Sequence, residues 1–107
     1  MSSIARVWSG RTPASKAEEY VEYIKKTGVE GLTGTQGNLG ALLLQRTIKD
    51  VVEFTVISFW ESKEAIKRFA GEDINKAHYY PEDSKYLLEM APEVVHYDVK
   101  VAAGLKL

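Results

Sequence analysis

The stretch VVEFTVISFW, residues Val51–Trp60, decides the fold of this chain. It is rich in β-branched and aromatic residues and lacks a helical period, so it predicts the central strand of a sheet. One face of that strand would carry Val52, Phe54, Val56, Ser58 and Trp60, and the other Glu53, Thr55, Ile57 and Phe59. Because both sets are partly apolar, we expect both faces of the sheet to be covered.

Three further strands are predicted around this one. Lys49-Asp50 is a two-residue polar break, short enough for a hairpin that joins the central strand to a preceding strand over Ala41–Ile48. Ile4–Ser9 alternates near the start of the chain, and Glu93–Val101 alternates near its end.

Two helices are predicted between the strands. Thr12-Pro13 supplies an N-cap followed by proline, and Gly28 supplies a stop for the first helix. The apolar stripe of that helix is Ala17, Tyr20, Val21 and Ile24. Ser62 caps the second helix, which ends at Gly71.

The remaining segments are less regular. Glycine recurs at every third position over Gly28–Gly40, which matches no phosphate-binding glycine motif and predicts a pliable connection. Ile74–Tyr80 is expected to form a turn of helix, and Pro81 to open another helical piece, PEDSKYLLEM, that Pro92 ends.

The resulting order, βαββαβ, predicts a ferredoxin-like α+β protomer with an antiparallel four-stranded sheet. Residues 1–107 form a single domain at this length. The helices of this topology cover one face of the sheet. Since the other face is also apolar, we expect two copies to bury it as a homodimer.

Composition excludes several function classes. The 14 basic and 15 acidic residues leave a net charge of −1, and the central strand lacks the basic-glycine-aromatic pattern of RNA-binding sheets, so no nucleic acid partner is expected. The chain has no cysteine and 2 histidines, which predicts no metal site. The longest apolar run, Ala41–Leu44, is far below the roughly 20 residues of a membrane span. The start, MSSIARVWSG, lacks the apolar core of a signal peptide, so we expect no membrane partner and a cytoplasmic protein.

A set of motifs points to a family. The run FTVISFWESKEAI, Phe54–Ile66, is followed by FAG at Phe69–Gly71, by AHYYPED at Ala77–Asp83 and by VVHY at Val94–Tyr97. Together these segments resemble the antibiotic biosynthesis monooxygenase (ABM) domain family over about residues 4–101. The resemblance implies a ferredoxin-like protomer that pairs as a dimeric α+β barrel.

The resemblance also implies an activity, the oxygenation of an electron-rich aromatic such as an anthrone or quinol without a cofactor. The protein must then bind a flat ring, remove a proton and hold the resulting anion. The pocket of the family lies between the sheet and the helices. This implies His78 and Tyr79 as catalytic residues, and it implies substrate-binding residues at Trp8, Trp60, Phe69, Tyr80 and Tyr86.

Two alternatives stay open on the same fold. One is a non-catalytic dimeric binding or stress-related protein, which predicts a pocket filled by Leu, Phe and Tyr side chains. The other is haem binding or degradation, for which the resemblance requires an axial histidine, a helical tryptophan and a first-strand asparagine. Here Tyr79 stands at the histidine position with His78 one residue early, Phe69 stands at the tryptophan position, and Ile4–Ser9 has no asparagine.

The remaining polar candidates on the strands are two pairs of residues. His96 has Asp98 on the same face, and we expect a cross-strand polar pair at the dimer interface or an edge rather than an imidazole oriented by that carboxylate. Arg6 and Arg46 could hold an anionic oxygen if they faced inward, but ion pairs at the surface or an interface are the expectation for both.

Overall fold

The sheet of this protein matches the predicted architecture. The computed structural model describes residues 3–106, which contain the strands β1 Ile4–Pro13, β2 Asn38–Ile48, β3 Val51–Trp60 and β4 Val95–Asp98. All pairings are antiparallel, and the order across the sheet is β2-β3-β1-β4. The ferredoxin-like βαββαβ arrangement is therefore confirmed, with β3 at its predicted bounds and β4 shorter than predicted.

The first connection is more helical than the sequence indicates. It comprises a 3₁₀ turn Ala14–Lys16, helix α1 Ala17–Ile24, a π-helical turn Lys25–Val29 and a short helix α2 Glu30–Thr33. The predicted stop at Gly28 is wrong, because the wider turn carries the chain past it. The predicted cap is also wrong, since β1 extends through Pro13 and the Thr12 hydroxyl bonds to the Pro13 carbonyl.

The second connection begins as predicted and then departs from helix. In α3, Lys63–Ala70, the Ser62 hydroxyl accepts a hydrogen bond from the Ala65 N–H at 3.1 Å, and Gly71 ends the helix with φ at 89°. Beyond it, within the described residues up to 106, only the 3₁₀ turn Asp83–Lys85 is helical. The piece predicted over Ile74–Tyr80 is therefore wrong, and PEDSKYLLEM is reduced to this one turn. Some backbone N–H groups there close short turns, and others bond to distant carbonyls, as Leu88 does to Arg11 at 2.8 Å.

The two faces of the sheet differ in their cover. The inner face packs on the helices and holds the core, whose largest fully buried side chains are Tyr20, Phe54, Trp60 and Ile66. Within residues 3–106, no outward-facing residue of the strands belongs to the hydrophobic core. On the outer face an apolar row crosses all four strands in register, and its members are Leu42, Ile57, Val7 and Val95. The sequence-based expectation of two apolar faces thus agrees with the structure.

Candidate functional site

A cavity opens between the inner face of the sheet, the first helical connection and the irregular segment after α3. Its cavity volume is about 50 Å³, which rises to about 530 Å³ when the open solvent at its mouth is included. The lining residues are Arg6, Trp8, Tyr20, Ile24, Thr27, Gly28, Leu32, Val56, Ser58, Phe69, His78, Tyr79, Tyr80 and Asp83. The π-helical turn contributes Thr27 and Gly28, and such turns recur at functional sites.

Most of the site residues predicted from the sequence lie together here. The ones that line the cavity are Trp8, Phe69, His78, Tyr79 and Tyr80. The three that follow Ala77 stand on extended or irregular backbone rather than on the predicted helix. Their convergence depends on the fold, because β1 and the segment after α3 are about 70 positions apart in the chain.

Trp60 and Tyr86 do not line the cavity. Trp60 is 0% exposed in the core, and its indole N–H donates to the Ser58 hydroxyl at 2.9 Å. Tyr86 stacks on Tyr23 with ring centroids 5.4 Å apart, and its ring centroid is 5.5 Å from that of Tyr20. Both residues stabilise the walls around the cavity rather than its surface.

Trp8 and Tyr79 form a fixed pair in the wall. The indole N–H of Trp8 donates to the Tyr79 hydroxyl at 3.1 Å, and that hydroxyl donates to the Ala91 carbonyl at 2.8 Å. Burial raises the pKa of Tyr79, so it is a neutral phenol at physiological pH. Gly10 leaves space for the indole, since a Cβ there would lie 2.6 Å from the Trp8 ring.

His78 stands at the exposed side of the cavity between two aromatic rings. Its ring centroid is 4.9 Å from that of Phe69 and 5.0 Å from that of Tyr80. Within residues 3–106 its ring nitrogens make no hydrogen bond, so they are free to bind a ligand. Geometry therefore leaves His78 available as a proton acceptor at the mouth.

Asp83 is a site residue that the sequence analysis missed. It is 5% exposed and accepts hydrogen bonds from the Tyr80 N–H at 2.6 Å and from the Tyr20 hydroxyl at 3.3 Å. Burial raises its pKa, while those two hydrogen bonds and nearby His78 oppose the shift. The sequence signal for Asp83 is an acid two residues after Pro81. The pattern there predicts the first turn of a helix, where such an acid is ordinary.

Arg6, which the sequence offers as an anion-binding residue only if it faces inward, is a second buried polar residue of the cavity. It is 5% exposed, and its Nη2 donates to the Lys76 carbonyl at 3.0 Å, while its buried Nε has no partner in the described chain. Burial lowers its pKa to about 10. The expected surface ion pair is wrong for Arg6 and confirmed for Arg46, which pairs with Glu53 at 2.8 Å.

His96 lies on the edge strand β4, and its polar neighbour across the strands is Arg6. His96 is half-buried on the inner face, and its Nε2 has no partner among residues 3–106, whereas Asp98 is exposed. Burial lowers the pKa of His96, and the positive charges of Arg6 and Lys63 lower it further. Elsewhere in the described chain, no three His, Asp or Glu side chains cluster as metal ligands, and no helix is long and apolar enough to cross a membrane.

Comparison with known proteins identifies the fold. No protein-family model matches the chain, and no curated protein is similar to it at a significant level. Solved structures do match. A Bacillus cereus protein assigned as an antibiotic biosynthesis monooxygenase has 16% identity and a TM-score of 0.67, with 98% of this chain and 100% of that chain covered. This chain has the ABM-domain fold.

Two further ABM-domain structures were solved with ligands. The haem-degrading MhuD of Mycobacterium tuberculosis, with two haems in its active site, has 19% identity and a TM-score of 0.62 over 94% of this chain and 99% of its own. The ActVA-Orf6 monooxygenase of Streptomyces coelicolor, in complex with Nanaomycin D, has 16% identity and a TM-score of 0.58 over 98% and 93%. At these identities the similarity shows the fold alone.

The residues of this ABM-domain fold depart from the haem pattern. The position at which the resemblance requires an axial histidine is Tyr79, whose hydroxyl is already bonded to Trp8 and Ala91. An axial bond from Tyr79 would first have to break these hydrogen bonds. His78, one position earlier, is flanked by the rings of Phe69 and Tyr80, and its ring nitrogens are unpaired within residues 3–106.

Proposed function

We propose that this protein is a small monooxygenase that oxygenates an electron-rich aromatic molecule without a bound cofactor. The observation that carries the proposal is the half-open cavity of the ABM-domain fold, lined by aromatic rings and by a few polar groups.

The proposed reaction is balanced without any group that the protein would have to hold. A base removes one proton from an activated ring CH₂, and the resulting carbanion reduces O₂. One oxygen atom becomes the new ring carbonyl. The other leaves as water with the two hydrogens of the original CH₂. Because the substrate supplies the electrons, the protein has only to bind the ring, accept the proton and stabilise negative charge.

The lining residues supply these roles. Trp8, Phe69 and Tyr80 present ring faces and edges to a flat substrate. His78, with its nitrogens unpaired, accepts the proton. Tyr79 is neutral and donates to the oxygen that develops on the ring, by exchanging its bond to the Ala91 carbonyl for one to substrate.

Oxygen consumption tests this proposal. The purified chain, treated with a metal chelator, is mixed with anthrone in an oxygen electrode. We expect consumption of one O₂ per anthrone, no release of O₂ on adding catalase, and anthraquinone as the product. Tight binding of anthrone without oxygen uptake would instead indicate a binding protein.

Matched variants locate the chemistry. Tyr79→Phe removes a hydroxyl in the cavity wall, and Tyr97→Phe removes one on the exposed outer face. We expect Tyr79→Phe and His78→Gln each to lower kcat by at least tenfold, and Tyr97→Phe to leave it unchanged. Equal activity of all three variants would contradict the assigned roles.

We also propose that the functional unit is a homodimer joined through the outer sheet face. The row Leu42, Ile57, Val7 and Val95 supports it, because 48% of Leu42 and 52% of Val95 are exposed in the single chain. A second copy of the same row is a self-complementary partner under twofold symmetry.

Light scattering at micromolar concentration tests the dimer. We expect twice the 12.0 kDa chain mass for the natural sequence, and the chain mass for Ile57→Lys, which puts a charge in the centre of the row. Glu22→Lys, on the exposed surface of α1, is the control and should remain dimeric. A monomeric mass for the natural sequence would overturn this proposal.

A further inference from the structure

Arg6 presents a physical problem that the fold does not solve by itself. The residue is 5% exposed and lines the cavity, and its Nε is buried. Arginine stays charged at all physiological pH values, and an ion taken out of water is strongly destabilised unless an opposite charge and hydrogen bonds replace the water. A buried arginine is therefore expected to have a carboxylate beside it.

No such carboxylate is present in the described chain. Within residues 3–106, no Asp or Glu oxygen lies within 4.0 Å of Arg6. Its contacts are neutral: one hydrogen bond to the Lys76 carbonyl, and the Phe69 ring with its centroid 5.5 Å from the guanidinium carbon. These satisfy part of the guanidinium, and the Nε–H remains unpaired.

The neighbourhood adds positive charge rather than compensating it. His96 lies directly opposite Arg6 in the pairing of β1 with β4, and the charges that act on it are those of Arg6 and Lys63. The buried carboxylate of the cavity, Asp83, is influenced by His78 and not by Arg6. The cavity is thus polarised, with a carboxylate on one side and an uncompensated cation on the other.

We propose that the cavity takes a flat aromatic ligand that bears an anionic oxygen, and that Arg6 binds that oxygen. The aromatic part follows from the rings that line the cavity, and the negative charge follows from the missing counter-ion of Arg6. That this ligand is the substrate rests on the proposed function. In that case Arg6 stabilises the anion that loss of a proton creates, which makes the proton easier to remove.

Binding of two isosteric probes tests the inference. Titration calorimetry under nitrogen compares 2-naphthoate with 2-naphthamide, which have nearly the same shape and differ in charge. We expect the natural protein to bind naphthoate at least tenfold more tightly. Equal affinities, or no binding of either probe up to millimolar concentration, would overturn the proposal.

Three variants assign the preference to Arg6. Arg6→Met keeps most of the side-chain length without the charge, and we expect the two probes to bind it equally. Arg6→Lys keeps a charge and should retain part of the preference. Arg46→Met removes an arginine that is exposed and already paired with Glu53, and it should behave like the natural protein. A preference that survives in Arg6→Met would also overturn the proposal, and should Arg6→Met fail to fold, Arg6→Lys and the probe pair still decide.

This test separates the inference from the proposed function, because no turnover occurs under nitrogen. A tenfold preference for naphthoate in a protein that never consumes oxygen would support the anion site and reject the monooxygenase. Oxygen uptake by a protein that binds both probes equally would support the monooxygenase and reject the anion site.

Discussion

The two faces of the sheet are both apolar, yet the fold uses them differently. On the inner face, helices cover the strands incompletely and leave a cavity that holds a buried arginine and a buried aspartate. On the outer face the apolar row is exposed at its two ends, Leu42 and Val95. The polar residues of that face, such as Ser9 and Thr55, are ordinary surface groups. Apolar character alone therefore does not mark a functional site. The inner face is distinguished by polar groups that are buried without full compensation.

The largest difference in the free energy of unfolding is expected between substitutions at two neighbouring residues of β3. Trp60 points inward and is 0% exposed, whereas Phe59 points outward and is half-buried. We expect Trp60→Ala to lower the free energy of unfolding by about 3–5 kcal/mol. Phe59→Ala should cost roughly 1 kcal/mol at concentrations where the chain is monomeric. Urea unfolding followed by circular dichroism measures both, and equal losses would show that the outer face is as well packed as the inner one.

The next contrast is between polar groups on the two sides. Asp83 holds the Tyr80 N–H and the Tyr20 hydroxyl in the buried interior, so Asp83→Ala should cost about 2 kcal/mol. On the outer face, Thr55 is hydrogen-bonded to Ser9 at 3.3 Å in contact with solvent. Thr55→Ala should therefore cost less than about 0.5 kcal/mol. Urea unfolding measures both losses. Equal losses for Thr55→Ala and Asp83→Ala would contradict the difference between the polar groups of the two faces.

A smaller effect is expected where α2 covers the cavity wall. A Cβ on Gly31 would collide with the Tyr80 hydroxyl and lie 3.3 Å from the Phe69 ring, so Gly31→Ala should cost about 1–2 kcal/mol. Gly28 is the control, since a Cβ there would meet only Ile24, at 3.4 Å. Gly28→Ala should be neutral or stabilising by up to about 1 kcal/mol. Thermal unfolding compares the two variants, and a stable Gly31→Ala would mean that Tyr80 is loosely held.

The smallest expected effect is a pH dependence of the free energy of unfolding, caused by Asp83 on the inner side of the sheet. Burial raises the pKa of Asp83, so the folded protein keeps this proton to higher pH than the unfolded chain. The carboxyl therefore favours the folded state below the ordinary aspartate pKa of about 3.9, and this contribution is lost as pH rises through the raised value.

Asp83→Asn isolates that contribution. As pH rises through this window, the free energy of unfolding of Asp83→Asn should rise relative to that of the natural protein, because the amide does not ionise. Urea unfolding at a series of pH values measures the difference. Parallel stability profiles for the two proteins would contradict the raised pKa.

Sequence predicted those parts of the fold that depend on local pattern. The strand over Val51–Trp60 follows from its β-branched and aromatic composition, and the cap at Ser62 depends on one hydroxyl and a backbone N–H three residues later. The segment after α3 could not be predicted in this way. Two of its N–H groups bond to carbonyls far away in sequence, that of Ala77 to Pro92 and that of Leu88 to Arg11, and tertiary bonds of this kind outweigh local helix propensity.

The sequence by itself determined the strand order, the two apolar faces and the aromatic residues from which a cavity is built. Only the tertiary structure decided that Arg6 and Asp83 face that cavity while Trp60 and Tyr86 stand behind its walls. The physical reason is that periodicity reports which side of a strand a residue occupies, whereas the burial and pairing of a charge depend on every element packed around it. Arg6 and Arg46 are residues of the same type on two strands of one sheet. Only the packing of the chain makes Arg46 part of an exposed ion pair and Arg6 a buried, uncompensated cation.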